Sequence, residues 1–219
     1  MSRIAIVGGH GQIARLLIPL LVDAGHVPVA LVRNPDHAAE LERLGAEIGI
    51  LDIEQSDAGA FADAFVGADA VVFAAGGGPD GDIARKRSVD LGGSIKSIEG
   101  AGTAGVSRFV QISAIGVDQP IDDDAGEVWV AYVEAKRDAD IALRDSELDW
   151  TIVRPGALTD DEPTGQVELA EQVERGQIPR ADVAAVIAAV LDEPATIGRQ
   201  WEVVSGEVPI APAITAAVR

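Results

Sequence analysis

Ile4-Ala5-Ile6-Val7-Gly8-Gly9-His10-Gly11-Gln12-Ile13-Ala14 decides how the rest of the chain is read. A short apolar run breaks at glycine, and an amphipathic pattern begins at once. That order is a buried parallel strand, a tight turn and a helix N-terminus. Backbone N–H groups and the positive end of the helix dipole can hold a pyrophosphate there, and glycine lets the backbone come close to it. The turn residues Gly8 and Gly11, with Gln12 and Ile13 opening the helix, are the first candidate cofactor contacts. The spacing Gly8-x-x-Gly11-x-x-Ala14 lacks the third glycine of the full dinucleotide pattern, so its weight comes from its place between a strand and a helix.

The remaining chain supplies the elements such a turn requires. Helix is expected over Gln12–Ala24, with an apolar stripe of Ile13, Leu16, Leu17, Leu20, Leu21 and Ala24, a kink at Pro19 and a stop at Gly25. Strands are expected at Val27–Val32, Glu47–Leu51, Asp69–Ala75, Val106–Ile112 and Asp149–Arg154. Helices are expected at Asp36–Leu44, Asp57–Val66, Ile83–Ala101 and Glu127–Asp145. Two short strands, Gln166–Ala170 and Glu174–Ile178, flank a glycine turn. A helix opens at Arg180, a last strand covers Arg199–Ser205, and the tail after Pro209 has no single reading. Strands alternating with helices indicate an α/β doubly wound parallel sheet, one domain over 1–219, with a small substrate-side region around 155–180.

Bulk composition narrows the function. The 219 residues are 47% hydrophobic with a net charge of −19, which argues against nucleic-acid and anionic-membrane partners. Three lysines (Lys86, Lys96, Lys136) stand among 17 basic residues. With no cysteine and three histidines lacking metal-ligand spacing, thiolate chemistry is excluded and no metal site is expected. The absence of a signal-peptide pattern and of a long apolar run leads to the expectation of a soluble cytoplasmic protein.

Several positions along the strand ends carry chemistry. Arg33 follows the second strand directly, and the first acid, Asp36, comes three residues later. An arginine there suits a 2′-phosphate, so NADP is favoured over NAD; the alternative is an ordinary exposed arginine at a strand end. Asp52-Ile53 falls where such folds contact adenine, although Asp52 serves equally well as a turn residue. Ala74, Ala75 and Gly76 are small enough for a ligand to lie against the backbone, or simply form a flexible loop. Asp122-Asp123-Asp124 reads as a solvated acidic loop. Tyr132, the one tyrosine, stands four residues before Lys136, so the two share a helix face. An ammonium near a phenol favours phenolate, which predicts a lowered pKa and a usable proton donor or acceptor.

These motifs, with Leu31-Val32-Arg33-Asn34, Ser113 and Asp149-Trp150-Thr151-Ile152-Val153-Arg154-Pro155-Gly156-Ala157-Leu158-Thr159, resemble the atypical short-chain dehydrogenase/reductase superfamily. The similarity is greatest to its small NAD(P)H-binding, epimerase/dehydratase-like group, and it extends over nearly the whole chain. The resemblance implies a Rossmann fold with a small C-terminal extension. It implies Tyr132 as proton donor or acceptor, with Lys136 as its electrostatic partner and ribose contact. Pro155 then lies beside the nicotinamide, and Ser113 polarises the substrate. Asp90 occupies the position where an asparagine often supports the lysine, and its carboxylate would pair with Lys136. If the second of two successive small residues is the working one, that position holds Ala114 and Ser113 is structural. The short chain after the sixth strand disfavours a nucleotide-sugar substrate. The function expected is an NADP(H)-dependent oxidoreductase of a small carbonyl, quinone or flavin-like molecule. A non-catalytic NADP(H) sensor and an epimerase or dehydratase are the alternatives.

Overall fold

A computed structural model describes residues 1–78, 82–122 and 124–219. Asp123, the middle of the acidic triplet, lies outside the described residues. The alternating apolar residues of β1 (Arg3–Val7) explain the architecture, because they feed two cores. Ile4 and Ile6 pack with Leu17, Ile18 and Leu21, whereas Ala5 and Val7 pack with Phe61, Phe65 and Phe109. A strand buried on both faces needs helices above and below it.

β1 is flanked by β2 (Val27–Val32) and β4 (Ala70–Phe73), both parallel to it. Outward from β2 lies β3 (Glu47–Ile50). Outward from β4 come β5 (Arg108–Ile112), β6 (Asp149–Pro155) and, also parallel, β10 (Arg199–Ser205). Two antiparallel strands, β8 (Gln166–Ala170) and β11 (Val208–Pro209), finish that edge of a nine-stranded sheet. The order reverses between β1 and β4, so a crevice opens beyond their carboxyl ends. Helices α1 (Gln12–Asp23) and α7 (Arg180–Asp192) pack against each other. Likewise α3 (Ala58–Phe65) packs on α5 (Gly92–Ala104), and α5 touches α6 (Glu127–Arg144). The short α2 spans Ala38–Arg43, and α8, Ile210–Ala217, gives the tail after Pro209 a defined form. Among the described residues no helix is long and apolar enough to cross a membrane.

The structure corrects the sequence reading in four places. The buried face of α1 is Ala14, Leu17, Ile18 and Leu21, while Leu16 and Leu20 are 40% and 37% exposed. The helix is apolar nearly all round, so periodicity alone could not select between adjacent stripes. As expected, Pro19 lies inside the helix and Gly25, with φ +83, follows its end. Second, the single helix expected over 83–101 is three pieces: α4 (Ile83–Arg85), a π-helical turn (Lys86–Leu91) and α5. Within α5, a Cβ on Gly93 would lie 2.5 Å from Ile53 Cγ2, so close packing accounts for that glycine. Third, the expected strand Glu174–Ile178 is β9 at Gln177–Pro179. Fourth, it does not pair around a glycine turn with β8; it runs parallel to β7 (Ala157–Thr159) in a separate ribbon. Gly156 and Gly176 permit that crossing: a Cβ on Gly156 would sit 2.4 Å from Gly176 O.

Candidate active site

The glycine turn is closed on both flanks by neighbouring strands. Gly8 has φ +82, and a Cβ there would approach Ala75 Cα to 2.8 Å. A Cβ on Gly9 would meet Ala30 Cβ at 2.7 Å, and Gly9 N donates to Leu31 O. Gly11 caps α1 without any side-chain cap, and the first turn of the helix holds no acid. The N–H groups of Gln12 and Ile13 are therefore among those left to a ligand, and the residues present fit a pyrophosphate. Gly8→Ala forces a side chain into a left-handed conformation and onto Ala75. We expect at least a tenfold rise in the Kd for a nicotinamide dinucleotide, measured by fluorescence titration, and a loss of about 1–3 kcal/mol of stability.

Beyond the turn lies a cleft of about 300 Å³. Of the sequence-derived candidates, Gly8, Gly11, Arg33, Asp52, Ile53, Ala74, Ala75 and Gly76 line it, whereas Gln12, Ile13, Lys136 and Pro155 do not. Arg33 is 63% exposed at the rim, with Nη1 3.5 Å from Glu54 Oε2. Asp52 is turned inward to its own loop: Oδ1 accepts the N–H groups of Glu54 and Gln55 at 2.9 and 3.2 Å. Its side chain thus fills the turn role. Lys96 fixes the same loop by donating to the carbonyls of Ile53 and Ser56.

At the other end, α6 presents Tyr132, Lys136 and Asp140 at successive four-residue steps on one face. Lys136 is buried; Nζ lies 3.2 Å from Asp90 Oδ1 and donates to Ile112 O at 3.2 Å. The π-helical turn places Asp90 there, and its Oδ2 accepts Gly77 N–H at 2.8 Å. A single carboxylate thereby joins α6 to the glycine loop after β4. Burial opposes the charged form of Lys136, but Asp90, Tyr132 and Asp140 together offset it and hold the ammonium above its ordinary pKa. Tyr132 departs from the sequence expectation. Its pKa is raised rather than lowered, first by burial, with Asp90 and Asp140 opposing the pull of Lys136. Lys86, also buried, donates to Gly78 O and stands 5.7 Å from the Tyr132 ring centroid.

Ser113 is brought near this centre but is already engaged. Its Oγ donates to Asp140 Oδ2 at 2.8 Å. Asp140, fully buried, also accepts from Gln111 Nε2 at 2.7 Å and Arg154 Nε at 2.8 Å. Burial pushes its carboxyl up against the pull of Arg154, Ser113 and Gln111. Arg154 reaches on to Asp118 at 2.6 Å. The next residue after Ser113, Ala114, offers no hydroxyl. Sequence reading missed Asp140, Arg154 and Lys86. The four-residue step from Lys136 to Asp140 was the available signal for the first. A larger cavity of about 680 Å³ lies over β6 and β10 and is lined by Arg144, Arg154 and Glu202, but by neither the glycine turn nor Tyr132. Three of its charged side chains have protein partners: Arg144 with Gln200, Arg154 with Asp118, Glu202 with Gly116 N–H. Among the described residues, no cluster of three histidine or acidic side chains could hold a metal ion.

Residues 8–194 match the model of the NAD(P)H-binding family. The chain belongs to that family. It is 38% identical to the uncharacterized sugar epimerase YhfK of Bacillus subtilis, over 97% of this chain and 98% of that one. A solved Bacillus halodurans structure assigned as an NAD-dependent epimerase/dehydratase superposes with a TM-score of 0.92 at 40% identity, covering 99% of this chain and 100% of that one. The oxidoreductase ylbE of Lactococcus lactis gives a TM-score of 0.87 at 27% identity, covering 98% and 95%. Within the NAD(P)H-binding family the chain therefore groups with the atypical short-chain dehydrogenase/reductases. The matched span contains the glycine turn, the strand-end cleft and the Tyr132–Lys136 helix.

Proposed function

We propose that this protein is an NADPH-dependent reductase of a small carbonyl, quinone or flavin-like acceptor. The observation that carries this reading is geometric: Tyr132 stands one turn before Lys136 on α6, and Lys136 Nζ lies 3.2 Å from Asp90 Oδ1, whose Oδ2 accepts the Gly77 N–H of the loop after β4. Burial and the Asp90 carboxylate keep the phenol neutral, which is the form that can give a proton to an acceptor oxygen. NADPH, when bound, supplies the hydride. The residues suited to hold it are the glycine turn, the small residues Ala74, Ala75 and Gly76, and Arg33. Lys136 is held at Asp90, and Asp90 fixes the Gly77 backbone beside Gly76, one of the small residues that would face the cofactor.

The preference for NADPH rests on Arg33 at the end of β2, where no carboxylate precedes it to take a free 2′-OH. Arg33→Ala is expected to raise the Kd for NADPH at least tenfold and that for NADH by less than about twofold. Equal weakening of both, in a fluorescence titration, would remove the basis for the assignment. A small acceptor is favoured because β8, β10 and β11 join the main sheet instead of building a separate lobe.

A second reading is a non-catalytic NADP(H) sensor. It is favoured by the engagement of Ser113 with Asp140 and by Ala114, which leave the acceptor oxygen without a hydroxyl donor beyond Tyr132. The epimerase reading, suggested by the name of the Bacillus subtilis relative, needs Tyr132 as a base, and a raised pKa works against it. NADPH consumption against aldehydes, quinones and flavins separates these readings. Turnover of one class supports the reductase; cofactor binding without turnover supports the sensor.

A further inference from the structure

Among the described residues, Trp129 alone of the aromatic side chains is exposed, at 46%. The four phenylalanines and Trp201 are buried, and Trp150 and Tyr132 are partly covered. Trp201 belongs to one hydrophobic core and Trp150 packs against the other, whereas Trp129 belongs to neither. Its ring contact is with the one tyrosine of the chain. Trp129 stands one turn before Tyr132 on α6, with ring centroids 5.6 Å apart and planes tilted by 38°. The indole thus keeps nearly half its surface in water at a place where the core gains nothing from it.

Topology puts this ring on the cofactor side of the sheet. α6 joins the parallel strands β5 and β6, so it runs back against them and its first turn stands at their carboxyl ends. The glycine turn and the Ala74–Gly76 loop lie on that same side. Exposure is graded along one face of the helix: Lys136 is buried, Tyr132 partly buried and Trp129 open. A molecule coming from solvent along this face meets the indole before it meets the phenol. Indole offers a flat π-surface, and a conjugated ring can stack on it with an overlap that a saturated chain cannot reach.

We propose that Trp129 is a specificity-determining residue, the platform on which a planar conjugated acceptor, a quinone or an isoalloxazine ring, stacks with its reducible end at Tyr132. This rests on the reading of the protein as a reductase and narrows the acceptor from small carbonyls in general to flat conjugated rings.

Steady-state kinetics of the full chain with NADPH test the acceptor. Trp129→Leu removes no core contact, so the variant folds. With menadione it is expected to raise KM about tenfold while kcat falls less than about threefold, the pattern of lost ground-state binding. For any turnover of butanal, KM should change less than about twofold. Trp129→Phe restores a ring and should bring the menadione KM back to within about threefold of the parent value. Riboflavin gives a readout that needs no turnover, because an isoalloxazine stacked on indole loses its fluorescence. Titrating the NADP⁺-saturated parent protein into riboflavin should give saturable quenching, and Trp129→Leu should raise the Kd about tenfold. Menadione turnover with the same KM in parent and Trp129→Leu overturns the proposal and leaves the reductase reading standing. An equal rise in KM for menadione and butanal overturns it as well, since the ring then makes no distinction between flat and saturated acceptors. Quenching that depends on Trp129, without NADPH oxidation by either protein, upholds the platform and overturns the reductase reading. A lower sedimentation coefficient in Trp129→Leu with no change in KM assigns the indole to a contact between copies of the chain and overturns the proposal.

Discussion

Tyr132→Phe is expected to lower kcat for acceptor reduction by about 10²- to 10⁴-fold and to leave the NADPH Kd within about twofold. The change removes one oxygen and keeps the ring that packs on Trp129, at 5.6 Å between centroids, and under Lys86 at 5.7 Å. The cofactor cleft is therefore undisturbed, and the loss falls on turnover. The pH profile carries a second expectation. With the phenol pKa raised above its ordinary value near 10, reductive kcat should show no falling limb from Tyr132 between about pH 6 and 9. Stopped-flow NADPH oxidation over that range measures it. If Tyr132→Phe oxidises NADPH as fast as the parent protein, the proton-donor role fails. A falling limb near neutrality that disappears in Tyr132→Phe would mean that Lys136 prevails over burial and Asp90.

Asp140→Ala should cost about 3–5 kcal/mol of folding stability, a large share of the roughly 5–15 kcal/mol that such domains possess. Asp140 accepts from three side chains and is wholly excluded from water. Removing it strands the buried guanidinium of Arg154 and leaves Ser113 and Gln111 without their acceptor. Asp118 stays bonded to Arg154 and cannot replace the lost contact inside the core. Asp140→Asn retains one acceptor oxygen and should lose less. Urea unfolding measures both, and a loss below about 1 kcal/mol for Asp140→Ala would contradict the buried-network account. The network also has an acid limit. The Arg154 hydrogen bond depresses the Asp118 carboxyl, so its contribution is present above the unfolded value of about 4 and is lost as pH falls through the lower folded value.

The parallel sheet and the glycine turn were legible because they leave short-range marks. Uninterrupted apolar runs signal strands buried on both faces, and glycine between strand and helix signals a turn. The strand-end residues Arg33, Asp52, Ile53 and Ala74 to Gly76 followed from position, since a doubly wound sheet collects its carboxyl ends on one side. What escaped depends on long-range neighbours. The pairing of Asp90 with Lys136 was legible, but the direction of the Tyr132 pKa turned first on how deeply the phenol is buried, which no local pattern encodes. Ser113 looked available until Asp140, 27 residues away, took its hydroxyl. The partner of β9 turned on a backbone crossing at Gly156 and Gly176, which no hydrophobic pattern encodes.

All three lysines have their ammonium groups committed at the strand-end cleft or beside Tyr132: Lys86 at Gly78 and Tyr132, Lys136 at Asp90, and Lys96 on the loop of Ile53. An amine-directed acylating reagent therefore finds no lysine extended freely into solvent. Labelling of Lys86 or Lys136 would register opening around Tyr132, and labelling of Lys96 would register loosening of the Ile53–Ser56 loop. Mass spectrometry of time-resolved acylation thus becomes a footprint of the site's own motions, with almost no background from the rest of the surface.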